Sequence, residues 1–311
     1  MTKPTGKPQK TGYHIITPEL LDLLTLLSRY KYLRTSFIRD LLDCGNHGII
    51  HQLQRRRKQG YIFQPREQKR GYNNLWCPRI HSITKKGEQV LIDHDRHPLK
   101  VTRLDRRRGD APVKNFAHAM MICDSLASIE IGVNRTDCEF IPWTEIVARL
   151  GVADPQRLEF STSYKGTSVR GKLVPDGLFG IRYPNGQVSF FVLEVENFNP
   201  VEPKDLNRAS TLKKLLGYKD IIDKKTYKQL GIPNLRVLFA FPTKARTQTA
   251  VDLATRLYGS TNMFLFHDIP VQELLFTAPP PFPDLLTSDW KRAGLDDTPL
   301  YMEVTDVEKT Q

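Results

Sequence analysis

Residues 172–198, KLVPDGLFGIRYPNGQVSFFVLEVENF, constrain the fold more than any other stretch. Two β-rich runs meet there at Tyr183-Pro184-Asn185-Gly186, and Asn-Gly between apolar runs is a strong hairpin signal. Helical or β-prone segments flank it. Residues 116–132 read as a helix, and 138–151 as a strand leading into a short helix. Residues 210–223 and 243–259 read as helices, and the apolar runs 235–241 and 262–268 as strands. Residues 153–171 show little periodicity and read as a loop. The order helix, strand, hairpin, helix, strand, helix, strand predicts an α/β sandwich with a mixed central sheet flanked by helices.

The first hundred residues follow another pattern. Thr17 can cap a helix that Pro18 opens, and Leu20, Leu21, Leu23, Leu24 and Leu27 give it a wide apolar face. A short helix starts near Thr35 or Ser36, and a third runs from about Asn46 to Gln59 and stops at Gly60. Two β-prone runs, YIFQPR and LWCPRIHSIT, are joined by the basic loop EQKRGYNN, and a last short helix starts at Lys85. Three helices followed by a β-wing predict a winged helix-turn-helix, so the fold class expected for the chain is α+β or α/β with two domains. The boundaries expected are a basic tail over 1–14, the winged helix over 15–95, a linker over 96–115, the sandwich over 116–277, and a Pro-rich then acidic tail over 278–311.

Charge separates the same two regions. The chain carries a formal net charge of +12, and residues 1–115 hold 24 Lys/Arg against 10 Asp/Glu, so the remainder is slightly negative. A basic module joined to a near-neutral one is the footprint of polyanion binding, with duplex DNA the expected partner. On a helical wheel of the third helix, Ile49, Ile50 and Leu53 turn to the core. His47, His51, Arg55 and Lys58 fall opposite, with Gln54 at the edge, which suits the major groove. Arg56 and Arg57 stand where a core residue is wanted, so one must snorkel. Lys69 and Arg70 on the wing, and Lys85 and Lys86 on the last helix, are candidate phosphate contacts. The plain alternative is a solvated basic helix end that complements the helix dipole.

No run of about 18 apolar residues stands out, so no membrane partner is expected. The N-terminal stretch lacks the apolar core of a secretory signal. Cys44, Cys77, Cys123 and Cys138 have no zinc-ligand spacing and read as thiols of a reducing, cytoplasmic compartment.

The hairpin also carries the candidate chemistry. Glu194 and Glu196 lie two apart on one strand and share a face, and Asp176 on the partner strand can approach them. Carboxylates so gathered repel one another unless a hard cation joins them, which makes Mg²⁺ or Mn²⁺ the candidate cofactor and Asp176, Glu194 and Glu196 the candidate ligands. Such an ion can activate water against a phosphodiester. His118 is expected to be a packed or capped histidine, with Asp124 six residues on.

Pro175-Asp176, a turn, then Glu194-x-Glu196 resembles the PD-(D/E)XK nuclease core over roughly residues 115–268. Glu196 stands where that pattern wants a lysine. Some members of that superfamily take the lysine from the following helix, and RecB-like members carry Q-x-x-x-Y there. Lys214-Leu-Leu-Gly-Tyr218 offers Lys214 and Tyr218 four apart, on one helical face. The whole chain is similar to the replication-relaxation family of mobile elements, through Pro175, Asp176, Gly177, Glu194, Glu196, Lys214 and Tyr218. That resemblance implies a restriction-endonuclease-like second domain and a role in replication, transfer or control of a plasmid, phage or integrated element. It implies catalytic roles for Asp176, Glu194, Glu196, Lys214 and Tyr218, and partners among the element's other replication or transfer proteins. Two classes stay open, a DNA-binding accessory with a decayed nuclease fold and an active metal-dependent endonuclease, as does assembly as a homodimer.

Overall fold

The computed structural model describes residues 15–69, 79–96, 116–148, 157–196, 199–203, 205, 208–270 and 279–301. It is a mixed α+β structure. Helix α1 (Pro18–Arg29) starts where Thr17 accepts a hydrogen bond from the Leu20 N–H, and it buries Leu20, Leu23, Leu24 and Leu27. Strand β1 (Leu33–Arg34) leads into α2 (Thr35–Leu41), and α3 (Asn46–Lys58) follows. Strands β2 (Ile62–Phe63) and β3 (Ile80–Ile83) pair antiparallel, with β3 between β1 and β2. A single helical turn, α4 (Arg66–Lys69), occupies the start of the loop expected between them, and α5 (Lys85–Asp93) closes the unit with Thr84 as its cap.

The second region is built on a seven-stranded sheet among the described residues. Its strands are β4 (Glu139–Pro142), β7 (Gly177–Arg182), β8 (Val188–Val195), β9 (Arg236–Phe241), β10 (Thr261–Asp268), β11 (Trp290–Ala293) and β12 (Leu295–Thr298), in the order β12-β11-β10-β9-β8-β7-β4. Strands β8, β9 and β10 run parallel and the outer pairings are antiparallel, so the sheet is mixed as expected. The β7–β8 turn follows its residues. Pro184 opens it, the Gly186 N–H donates to the Tyr183 carbonyl at 2.9 Å, and Gly186 takes φ 82°. Helices α7 (Trp143–Ala148), α8 (Thr211–Asp223) and α9 (Lys244–Tyr258) cover one face, and α6 (Phe116–Val133) with residues 282–286 covers the other.

Four expectations change. Residues 153–171 were expected as a loop, but strands β5 (Leu158–Tyr164) and β6 (Thr167–Leu173) form a hairpin there. Lys165 and Gly166 both take positive φ, the geometry of a tight type I′ turn. Leu158, Phe160, Val169 and Leu173 pack under α8 while Ser, Thr and charged residues alternate outward, and that polar face hides the period of two.

The second change is at the C-terminal end. Residues 279–301, expected as tail, extend the sheet. Trp290 and Leu286 are fully buried, Leu285 and Leu300 nearly so, and the Tyr183 hydroxyl donates to the Leu300 carbonyl at 2.8 Å. A Cβ on Gly132 of α6 would stand 2.7 Å from the Pro283 carbonyl oxygen, so this approach requires glycine. Proline-rich composition concealed a segment in which Leu285, Leu286, Trp290 and Leu300 are anchors, while Leu295 stays exposed.

Third, the cores of the two regions are not independent, because one helix contributes to both. Ala127 and Ile131 of α6 complete the core built by α1, α2 and α3, while Met121, Ile122, Ile129 and Val133 face the large sheet. Arg34 Nε lies 3.0 Å from Asp124 Oδ2, with both side chains 1% exposed. Glu130 accepts from Arg29 and from the Tyr30 hydroxyl. Helix α6 is long and apolar enough to cross a membrane by composition alone, but 89% of it is buried inside the fold. The expected linker, apart from Arg96, lies outside the described residues, as do the N-terminal tail and residues 302–311.

The fourth is Ile50, expected in the core, which is 42% exposed. Ile49 and Leu53, one turn apart, take the inward direction, and Ile50 sits about 100° round from Ile49.

Candidate functional site

Two constellations have to be judged. On α3, His47, His51, Arg55 and Lys58 are exposed and Gln54 is half-buried, so the face expected to read bases is open. Arg56 is the arginine that folds back. It is 5% exposed, and its guanidinium donates to Gln59 Oε1 at 3.1 Å and Thr17 Oγ1 at 3.5 Å. Gly48 has no neighbour within 4 Å of a built Cβ, which leaves the start of this face bare. Beside α3, a cavity of about 310 Å³ runs past Ile50, Gln54, Arg57 and His81. It is remote in character from the carboxylates, with mostly apolar walls.

The candidate phosphate contacts divide. Lys85 is exposed. Lys86 is exposed as well, and its ammonium donates to the Gln59 carbonyl at 2.8 Å at the end of α3 and lies over the Tyr61 ring. Arg70 and the Lys69 side chain lie outside the described residues.

The second constellation is assembled by the sheet. The β7–β8 register pairs Gly177 with Leu193, so the next position outward sets Asp176 against Glu194. Asp176 Oδ2 accepts from the Val195 N–H at 3.0 Å, which fixes its carboxylate at the strand end. Glu194 on β8 and Glu196 one residue past its end, both beneath α8, have side chains 2% and 0% exposed. Helix α8 lays Lys214 across them. Its ammonium stands 2.5 Å from Glu194 Oε2, 2.7 Å from Glu196 Oε1 and 4.0 Å from Asp176 Oδ2. One turn on, the Tyr218 hydroxyl donates to Glu194 Oε1. The five residues marked on the sequence therefore meet.

His118 joins them, and sequence reasoning missed it. Its Nε2 is 3.7 Å from Asp176 Oδ1 and its side chain is 28% exposed, at the mouth of the cluster. Asp124, its expected neighbour in the sequence, is turned away to Arg34. A lone histidine on an apolar helix carries no local signal for a contact 58 positions along the chain. The nearest sequence clue is Gly177, where a Cβ would stand 2.8 Å from the Leu126 side chain, so α6 presses against the start of β7 beside Asp176.

The charges are interdependent. Burial would raise the Asp176 pKa, but the Lys214 ammonium, His118 and the Val195 N–H outweigh it and hold the carboxyl below its usual range. Burial pulls His118 down, and the Asp176 carboxylate 3.7 Å away reverses this, so it protonates more readily than a free imidazole. Glu194 is raised to about 7, by burial first, with Lys214 opposing and Asp176 adding. Lys214 stays an ammonium because three carboxylates overcome its desolvation. Burial and the Glu194 charge keep Tyr218 a neutral hydroxyl. Comparison with family models, with curated proteins and with solved structures found no match.

The donor set suits a hard divalent ion in kind, with Asp176, Glu194 and Glu196 as oxygen ligands and His118 beside them. Glu196 supports this fit, because its Oε2 is buried without a hydrogen-bond partner among the described residues. As the side chains stand, however, no group of three or more His, Cys, Asp or Glu among the described residues is arranged as a metal cage. The ammonium of Lys214 lies among the carboxylates instead.

Proposed function

We propose that this chain is a DNA-binding protein of a plasmid, phage or integrated element that acts in its replication, transfer or control. The observation that carries this reading is the open face of α3, with His47, His51, Arg55 and Lys58 exposed in the region that holds the chain's positive excess. Helices α1, α2 and α3 with the antiparallel β1-β3-β2 sheet support a winged helix-turn-helix that lays α3 in the major groove. The mixed sheet with its carboxylate strand end supports a restriction-endonuclease-like second region.

Full-length protein should bind duplex DNA with steep salt dependence. Arg55→Ala should cost about 1–3 kcal/mol on a preferred sequence and relax the preference there. Lys85→Ala, at an exposed candidate phosphate contact, should weaken all sequences alike and reduce the salt slope by about one. Fluorescence anisotropy against a duplex panel at several salt concentrations checks this, and unchanged binding by both variants would sink the reading.

The second reading, an active Mg²⁺-dependent DNA endonuclease, is favoured by the meeting of Asp176, Glu194, Glu196 and Lys214. There the carboxylates would hold the ion, which supplies an activated water and neutralises charge on the phosphodiester. Plasmid nicking with Mg²⁺ or Mn²⁺ should then be lost in Asp176→Ala while DNA affinity is kept. Nicking equal in wild type and variant would show the cluster to be uninvolved.

A further inference from the structure

We infer that Lys214 is an internal counter-cation that competes with a divalent metal ion for the carboxylate cluster, so that Asp176, Glu194 and Glu196 take up Mg²⁺ or Mn²⁺ only as the ammonium withdraws. The first ground is position. The ammonium is within ion-pair reach of all three carboxylates at 2.5, 2.7 and 4.0 Å, where a shared cation would have to stand. One ammonium, with His118 at the edge beside Asp176, faces three acidic side chains, two of them closed off from solvent. Buried charge so unevenly matched is costly, and a dication would balance it better than an ammonium.

The second ground is the unsatisfied group. Glu196 is 0% exposed and its Oε2 has no hydrogen-bond partner among the described residues, so the cluster contains an acceptor that one ammonium does not satisfy. An unpaired buried carboxylate oxygen is expensive, and oxygen-seeking metal ions relieve such a cost.

The third ground is a way out. Lys214 and Asp176 have side chains 19% and 20% exposed, and His118 beside them 28%, whereas both glutamates are shut in. The partly exposed edge of the cluster is therefore made by Lys214, Asp176 and His118. A four-carbon stem can carry its ammonium to solvent while the helix stays put.

The inference deepens the metal-dependent reading above and is independent of DNA recognition, because its probe is the metal ion alone. Full-length wild type and Lys214→Ala should be titrated with MnCl₂ by calorimetry. Lys214→Ala is expected to bind one Mn²⁺ tighter than wild type by about tenfold or more. It should also melt at lower temperature than wild type in chelator and recover with Mn²⁺, by ligand linkage. The gain should disappear in Lys214→Ala, Glu196→Gln, which places the ion at this cluster. Equal or weaker binding by Lys214→Ala, or a gain that survives Glu196→Gln, overturns the inference. If Lys214→Ala does not fold alone, Lys214→Gln is measured in its place. If neither folds, refolding with MnCl₂ decides: recovery supports the competition and failure overturns it. Absence of DNA binding would overturn the proposed function and leave these outcomes as they are.

Discussion

Arg34→Met is expected to destabilise the chain by about 3–5 kcal/mol in denaturant titration, because it leaves the Asp124 carboxylate buried in α6 without its guanidinium. Asp124→Leu should cost a similar amount by removing the carboxylate that faces the buried guanidinium. The double variant Arg34→Met, Asp124→Leu should recover most of either loss, since a buried ion pair replaced by apolar groups of like size is often neutral or better. Simple addition of the two single losses would show that the pair is not the coupling between the regions. A pH signature goes with it. Burial raises the Asp124 carboxyl to about 6 against the opposing charge of Arg34. A carboxyl whose folded pKa lies above its unfolded value of about 3.9 favours folding fully below that value, and the contribution is lost as pH rises through about 6. Asp124→Asn should flatten the stability profile in that window.

Trp290→Ala should cost about 3–5 kcal/mol as well. The indole is fully buried on β11, and its Nε1–H donates to the Leu285 carbonyl at 2.8 Å. Truncation removes area and a hydrogen bond together and leaves a cavity against β10. A loss below about 1 kcal/mol would mean that residues 279–301 only decorate the sheet. Thermal and chemical denaturation of the full chain measure this directly.

What the sequence disclosed was strictly local. Asn185-Gly186 dictated the β7–β8 turn, and the turn fixed the register that sets Asp176 against Glu194. The period of two put Glu194 and Glu196 on one face, and the period of 3.6 put Lys214 and Tyr218 above them. What stayed hidden depended on partners far along the chain. His118 belongs to the cluster only because α6 crosses the start of β7. The β5–β6 hairpin buries four residues under α8, and its Ser- and Thr-rich outer face disguises them. Ile50 is left 42% exposed beside the cavity next to α3, because which flank of the inward direction is covered depends on neighbours that the helical period does not name. Trp290 and Leu286 are single anchors among prolines and acids, with no periodicity to announce them.

Helix α6 makes this chain hard to divide. Its Ala127 and Ile131 belong to the core of the basic region, and its Ile129 and Val133 to that of the sheet, so neither hydrophobic interior closes without the same eighteen residues. Melting should therefore proceed as one cooperative calorimetric event, with the ratio of van't Hoff to calorimetric enthalpy near unity. Heredity feels the same constraint. A recombination that exchanged the first hundred residues for those of a distant homologue would strand half of a helix, and lineages of such a protein should inherit both halves as one piece.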